Sequence, residues 1–217
     1  MSRVISFIAK APNQGPTIPD LHAIPTPYAY RSPIDSEGDD WWRTLLDISF
    51  DTLDRQCAGN LAAAIVEPVI STGGVIELPA GYLKDLKQRL RARGALLIFD
   101  KAQTGLGKLG GMYAYQDCGV MPDIITVSKH FGGGLAISAM VTTDEIEQKA
   151  LARGLSFGHS HSSDPIGCMA GLASLEVIME ENVLARAAEI GTYWQERMRD
   201  LQQRYEIIGD IRGRGCL

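Results

Sequence analysis

Residues 95–110 read ALLIFDKAQTGLGKLG, and residues 122–134 read PDIITVSKHFGGG. In each, a short apolar run ends near a residue with chemistry on its side chain, Asp100 in one and Lys129 in the other. A glycine-rich loop follows both. Apolar runs of this length, bounded by turn residues, are the pattern of buried strands. In an open α/β sheet the carboxyl ends of the strands form the edge at which ligands bind. A lone acid or lysine at a strand end is usually a solvated loop residue. The pair, each ahead of a glycine loop, points to a site.

Working outward, the same alternation continues. WWRTLLDISFDTLDRQ (41–56) spaces Trp42, Leu45, Leu46, Ser49 or Phe50, and Leu53 at helical intervals, with Gly59 as the stop. LAAAIVEPV (61–69) reads as a buried strand ended by Pro68, and STGG (71–74) as a turn. GYLKDLKQRLRAR (81–93) is an amphipathic helix, cationic toward its end and closed by Gly94. AISAMVTT (136–143) reads as a further strand and DEIEQKALAR (144–153) as a helix. Residues 164–205 read as two helices broken near Glu181–Asn182. Strands alternating with helices imply an α/β fold with a mostly parallel sheet covered on both faces, a three-layer α/β/α arrangement.

The two ends differ from this middle. Six of the ten prolines fall within residues 11–33, so that stretch is expected to be extended and irregular, lying across something larger, and residues 1–40 to form a proline-rich extended segment. Residues 41–205 then form the main domain. RYEIIGDIRGRGCL (204–217) starts a new apolar element and stops within it, so residues 206–217 read as the beginning of a truncated further domain.

Composition narrows the class. Apolar residues are 45% and charged residues 22%, and 21 Lys+Arg against 26 Asp+Glu give a formal net charge of −5. These are the proportions of a globular protein, and the acidic balance without a basic run argues against nucleic acid as a partner. No run approaches the ~18 apolar residues of a membrane span. The N-terminus lacks the pattern of a signal peptide. Four scattered cysteines without a C-x-x-C pair suit a reducing compartment and no zinc site. Together these give a soluble, cytoplasmic expectation.

The site residues suggest their own chemistry. A lysine in a cleft can lose its proton by desolvation and attack a carbonyl to form a Schiff base. A carboxylate beside it can hold a pyridinium nitrogen protonated. Pyridoxal phosphate makes both demands. Two other patterns are weaker. Gly105–Gly110 matches G-x-G-x-x-G after a strand, but no helix or βαβ spacing follows it, and Lys108 is not followed by the Ser or Thr of a phosphate loop. His159 and His161 flank Ser160, but two ligands do not make a metal site.

LLIFDKAQTGLGKLG, PDIITVSKHFGGGLAISAMVTT and FGHSHSSDPIGCMAGLASL resemble the large-domain core of class III pyridoxal-phosphate-dependent aminotransferases. D-x-x-Q-T-G-x-G followed by S-K-x-x-G-G-G is the specific combination. Within the class, the resemblance is to the 2,2-dialkylglycine decarboxylases, and it runs from about Pro16 to the end. It implies the fold-type I transferase large domain. It also implies that Lys129 is the Schiff-base lysine and shuttles a proton between the substrate Cα and the cofactor C4′. Asp100 would pair with the pyridine nitrogen, Ala102 would pack on a ring face, and Gln103 would bond the phenolic oxygen. Ser160 would reach the cofactor phosphate of a neighbouring subunit, which implies a homodimer or higher homo-oligomer. The implied reaction is decarboxylation of a 2,2-dialkylglycine coupled to amino transfer to an α-keto acid. General amino transfer by a class III enzyme on an ω- or α-amino substrate is the alternative, and a non-catalytic remnant a third reading.

Two positions bear on substrate. In EPVISTGG (67–74), Glu67 is kept, but Thr72 stands where many class III enzymes have a second glutamate that pairs with a substrate-binding arginine. Thr72 either leaves such an arginine free for an α-carboxylate or caps a turn. In SSDP, Asp164 stands where most of the class has Asn. Asp before Pro is an N-cap signal. The resemblance adds an alkali-cation site, K+ or Na+, at Ser160, Ser162 and Asp164, whose ligands are all oxygen. Lys101 departs from the family, which usually has glutamate after the aspartate. Strand alternation points it away from the cofactor side, and the exchange is expected to cost a local ion pair and some stability. The family's phosphate-binding helix start and stacking aromatic are expected before residue 1, and its small domain after Leu217. Arg212 and Arg214 belong to the RGRG turn and are not the carboxylate-binding arginine.

Overall fold

The computed structural model describes residues 3–6, 20–32, 34, 38–156 and 158–217. The chain divides into two units, Met1–Phe99 with Tyr115–Pro122, and Asp100–Ala114 with Asp123–Leu217.

The first unit carries a parallel sheet in the order β2-β1-β3-β6. Its strands are β1 (Arg3–Ser6), β2 (Leu21–Ala23), β3 (Leu61–Val66) and β6 (Leu96–Asp100), whose last residue enters the second unit. Val4 pairs with Leu21 on one side and Ala63 on the other, and Ile65 pairs with Ile98. Strands buried between neighbours on both sides need near-continuous apolar runs, which LAAAIV and LLIF supply. A two-strand hairpin, β4 (Val69–Ile70) and β5 (Ile76–Glu77), surrounds the 71–74 turn. Within residues 1–40, where an extended segment is expected, the described residues include the strands β1 and β2. These strands are three and four residues long, too short to show a hydrophobic period. The proline-rich stretch 11–19 lies outside the described residues.

Helix α1 (Trp41–Cys57) buries Trp42, Leu45, Leu46, Ser49, Phe50, Leu53 and Cys57 on one stripe. Both alternatives at the fourth position are buried, because the Ser49 hydroxyl donates to the Leu45 carbonyl at 2.6 Å. The helix ends where Ala58 and Gly59 turn left-handed. Helix α2 (Tyr82–Ala92) buries Tyr82, Leu83, Leu86 and Leu90 against it. The Trp42 and Tyr82 rings meet edge-on at 5.6 Å. Across the rim of this pair, Arg43 donates to Asp85 at 3.0 Å and Arg93 Nε to Asp54 at 2.7 Å. The Arg93 guanidinium also lies 4.6 Å over the Phe50 ring. Hydrogen bonding from Arg93 holds the Asp54 carboxyl below its ordinary value.

The second unit holds β7 (Ile124–Val127) and β8 (Ala139–Thr142), paired antiparallel with Ile124 opposite Thr142. The link between them, residues 128–138, has no room for the crossover that a parallel pair requires, so this pair is an antiparallel exception to the mostly parallel order. Helix α3 (Asp144–Ala152) starts where the Thr143 hydroxyl accepts from the Ile146 amide. Helices α4 (Pro165–Glu180) and α5 (Val183–Arg204) are separated by Asn182 in the left-handed region, at the expected break. Residues 205–217 form neither helix nor strand, in contrast to the expected new element. Their glycines serve close approach instead. A Cβ at Gly191 of α5 would stand 2.5 Å from the Gly215 amide nitrogen, and the Cys216 amide donates to the Lys108 carbonyl at 2.8 Å.

Candidate active site

Asp100 ends β6 and is half-buried. Its Oδ1 accepts from the Ala102 amide at 2.9 Å and lies 3.5 Å from the Thr126 hydroxyl. Among the described residues its Oδ2 accepts no hydrogen bond. The Asx turn onto Ala102 bends the chain out of the strand, as Asp side chains commonly do. The Lys101 amide donates to the Thr126 carbonyl at 2.9 Å, tying the end of β6 to β7. The Lys101 side chain is fully buried at 0% exposure, while Asp100 is only half-buried. This is the opposite facing that strand alternation predicts. Ala102 and Gln103 are half-buried, and the Thr104 side chain is fully buried.

Gly105 begins the glycine loop. A Cβ there would stand 3.1 Å from the Lys101 carbonyl and 3.3 Å from the Tyr113 ring, so only glycine fits without displacing a neighbour. No α-helix follows the G-x-G-x-x-G run. It passes through turns into a short 3-10 turn at Ala114–Cys118, which removes the dinucleotide reading.

Lys129 opens a 3-10 turn, Lys129–Gly132, directly after β7. Ser128 is extended and Lys129 has φ +56°, in the left-handed region. For a residue with a Cβ this conformation costs roughly 1–2 kcal/mol and needs support from its surroundings. The support is visible. The Phe131 amide donates to the Ser128 carbonyl at 3.2 Å, and the Gly133 amide to the His130 carbonyl at 3.1 Å. The His130 ring Nε2 lies 2.8 Å from the Gly105 carbonyl. Helix α4 backs the turn with Gly171, where a Cβ would come within 3.1 Å of the Phe131 ring. The Lys129 side chain is exposed and, among the described residues, makes no hydrogen bond or ion pair.

The other expected residues fall elsewhere. Asp164 is the N-cap of α4. Its Oδ1 accepts from the Ile166 amide at 3.2 Å ahead of Pro165, and its Oδ2 lies 3.3 Å from His161 Nδ1. The Ser162 hydroxyl accepts from the His159 amide at 3.2 Å, and Ser160 is exposed in the same loop. A cavity of about 920 Å³ opens beside this loop, lined by Ser162, Asp164, Cys168 and Phe131 among others, and its walls include neither Lys129 nor Asp100. Among the described residues, no group of three or more His, Cys, Asp or Glu side chains could hold a metal. Thr72 belongs to the first unit and is exposed on the 71–74 turn. The turn is held by Glu67, whose Oε2 accepts from the Ser71 amide at 3.1 Å and from its hydroxyl. The side chain of Thr72 makes no hydrogen bond among the described residues, so the turn-cap role passes to Glu67. Sequence reasoning missed Thr126 and His130. Each is a common residue type beside a motif, and nothing local marks what it touches.

Asp100, Ala102, Gln103 and Lys129 thus occupy the joined ends of β6 and β7. The donor set fits pyridoxal phosphate. A carboxylate with one oxygen unclaimed suits a basic ring nitrogen, an amide side chain suits a phenolic oxygen, and an exposed amine without an ion partner suits an aldehyde.

An α/β frame with lysine and aspartate at adjoining strand ends fits the class of pyridoxal-phosphate-dependent transferases. The class III aminotransferase family model matches residues 8–217, and the chain belongs to that family. It is 41% identical over 214 residues to an uncharacterized aminotransferase of Schizosaccharomyces pombe, covering 98% of this chain and 48% of that protein. It is 39% identical over 168 residues to the mitochondrial alanine–glyoxylate aminotransferase 2 of Homo sapiens, covering 77% of this chain and 32% of the relative. The crystal structure of an (S)-enantioselective ω-transaminase from Thermomicrobium roseum superimposes with a TM-score of 0.88 at 28% identity, over 98% of this chain and 52% of the other. This likeness carries the expected fold-type I, mostly parallel α/β/α class. The chain spans about half the length of the first of these relatives and a third of the second. Among the described residues, no helix is long and apolar enough to cross a membrane.

Proposed function

We propose that this chain carries the pyridoxal phosphate lysine and ring-nitrogen aspartate of an enzyme that transfers an amino group from an amino donor to an α-keto acid. The observation that carries the proposal is the placement of Lys129, exposed and without a partner among the described residues, on the strand end tied to that of Asp100. When bound, pyridoxal phosphate supplies an aldehyde for amine exchange and an electron-accepting ring. Lys129 would hold the cofactor and move a proton at the substrate Cα. Asp100 would keep the ring nitrogen protonated through the oxygen that accepts no hydrogen bond among the described residues. Ala102 would limit movement of the ring, and Gln103 would donate to the phenolic oxygen. Ser160, exposed on its loop, is free to meet a second subunit, and the apolar exposed side of α4 supports a homo-oligomer.

The relatives favour general amino transfer over decarboxylation-coupled transfer. The decarboxylase reading keeps Thr72 in its favour. Its alkali-cation site is weakened because both carboxylate oxygens of Asp164 already have neighbours, the Ile166 amide and His161. The deciding experiment is titration with pyridoxal phosphate, then borohydride reduction and peptide mapping. A reduced pyridoxyl group on Lys129, absent in Lys129→Ala, is expected. A folded chain labelled elsewhere or not at all overturns the proposal.

A further inference from the structure

Resting on that reading of Lys129, we infer that His130 is a positioning residue. Its ring locks the lysine turn to the glycine loop and so holds Lys129 in its left-handed conformation. Three observations converge on it. Lys129 has φ +56°, a conformation that relaxes unless the surroundings hold it. The residue after it sends its ring across 25 positions of sequence to the Gly105 carbonyl at 2.8 Å. Gly105 is itself closely surrounded: a Cβ there would stand 3.1 Å from the Lys101 carbonyl and 3.3 Å from the Tyr113 ring, and it forms an isolated bridge with Tyr113. The anchor is therefore closely packed and the tethered segment is strained, which is the arrangement of a clamp.

The chemistry of the contact fixes the tautomer. A carbonyl oxygen only accepts, so Nε2 carries the proton and donates. The bond does not depend on a charged imidazole, since both the Nε2–H neutral form and the cation donate from that atom. What the position requires is a donor of that reach. A phenylalanine fills the same space without donating, and a glutamine keeps a donor.

The clamp also links the two halves of the site. Gly105 lies five residues after Asp100, in the loop that also carries Ala102 and Gln103, and His130 directly follows Lys129. This hydrogen bond therefore adds a tie between the ring-nitrogen side of the site and the amine side, beside the one from the Lys101 amide to the Thr126 carbonyl. His130 would touch neither the cofactor nor a reacting atom and acts only through Lys129.

The test uses the full chain and compares wild type with His130→Phe and His130→Gln. The first readout is cofactor-free: amide hydrogen exchange at Phe131 and Gly133, whose amides close the lysine turn. The second is borohydride-trapped pyridoxal phosphate at Lys129 by peptide mapping. Melting temperature and far-ultraviolet circular dichroism report folding. In His130→Phe, exchange at these two amides is expected to rise about tenfold or more, with distant amides unchanged. Label at Lys129 is expected to fall by a similar factor of about ten. His130→Gln is expected to restore both. Wild-type exchange in His130→Phe overturns the clamp, as does failure of His130→Gln to restore it. A wild-type chain that takes no label at Lys129 refutes the cofactor role of that lysine alone, and the exchange arm still decides the clamp.

Discussion

The two units of the chain are stabilised in different ways. In the first, side chains do the work. Trp42, Phe50, Tyr82, Leu86, Leu90, Leu97 and Phe99 are sealed in one cluster under α1 and α2, and charged side chains close the rim. In the second, backbone contacts and turns carry the shape. Helix α3 buries no residue, α4 buries only Gly171 and Ile178, and α5 only Ala187 and Gly191. Ile166, Met169, Leu172, Val177 and Met179 of α4 stand exposed. A helix apolar on all sides belongs to the interior of a larger body. The candidate site lies in the unit with the thinner core. Strained turns there depend on specific hydrogen bonds, whereas the first unit depends on bulk packing.

The contrast can be broken by substitution. Trp42→Ala empties the centre of the first cluster and is expected to cost about 3–5 kcal/mol. A thermal shift no larger than that of a surface variant would break the comparison at its strongest point. Gly191→Ala places a methyl 2.5 Å from the Gly215 amide nitrogen and must move backbone rather than a side chain, with an expected cost of about 1–3 kcal/mol. Calorimetry of that variant, with proteolysis of the 205–217 segment, would show whether the second unit depends on this approach.

Asp54→Asn tests the charged rim. Arg93 holds the Asp54 carboxyl below 3.8, so its contribution is present above that value and lost as pH falls through the lower folded value. The carboxylate is half exposed, so at neutral pH the loss should be at most about 1 kcal/mol. The difference in melting temperature between wild type and variant should close at strongly acid pH. A gap that persists there would remove the ion pair as its cause. Met169→Ala should be nearly silent in the isolated chain, within about 0.5 kcal/mol, because Met169 is 62% exposed. A large effect would show that this face of α4 is already covered in solution.

Much of this was legible locally. The α1 stripe, the α2 ending at Gly94 and the α4–α5 break at Asn182 follow from period, cap and turn chemistry, each readable within a few residues. Asp100 and Lys129 stood out because their apolar runs and glycine loops adjoin them. The Asp164 cap was readable from Asp before Pro alone. The short strands β1 and β2 were not, because three or four residues carry no period and their pairing partners lie far along the chain. The direction of β8 was equally hidden, since an apolar run is the same in either sense.

The sequence by itself determined the helices and the longer strands, where the helices end, and which residue types could do chemistry. These properties depend on neighbours within one turn or one strand. Only the tertiary structure decided that Lys129 is left-handed, that Glu67 rather than Thr72 holds the turn after β3, and that His130 reaches Gly105. Those outcomes depend on close contacts and strain resolved in space. A hydrogen bond across 25 residues leaves no periodic trace in the chain that makes it.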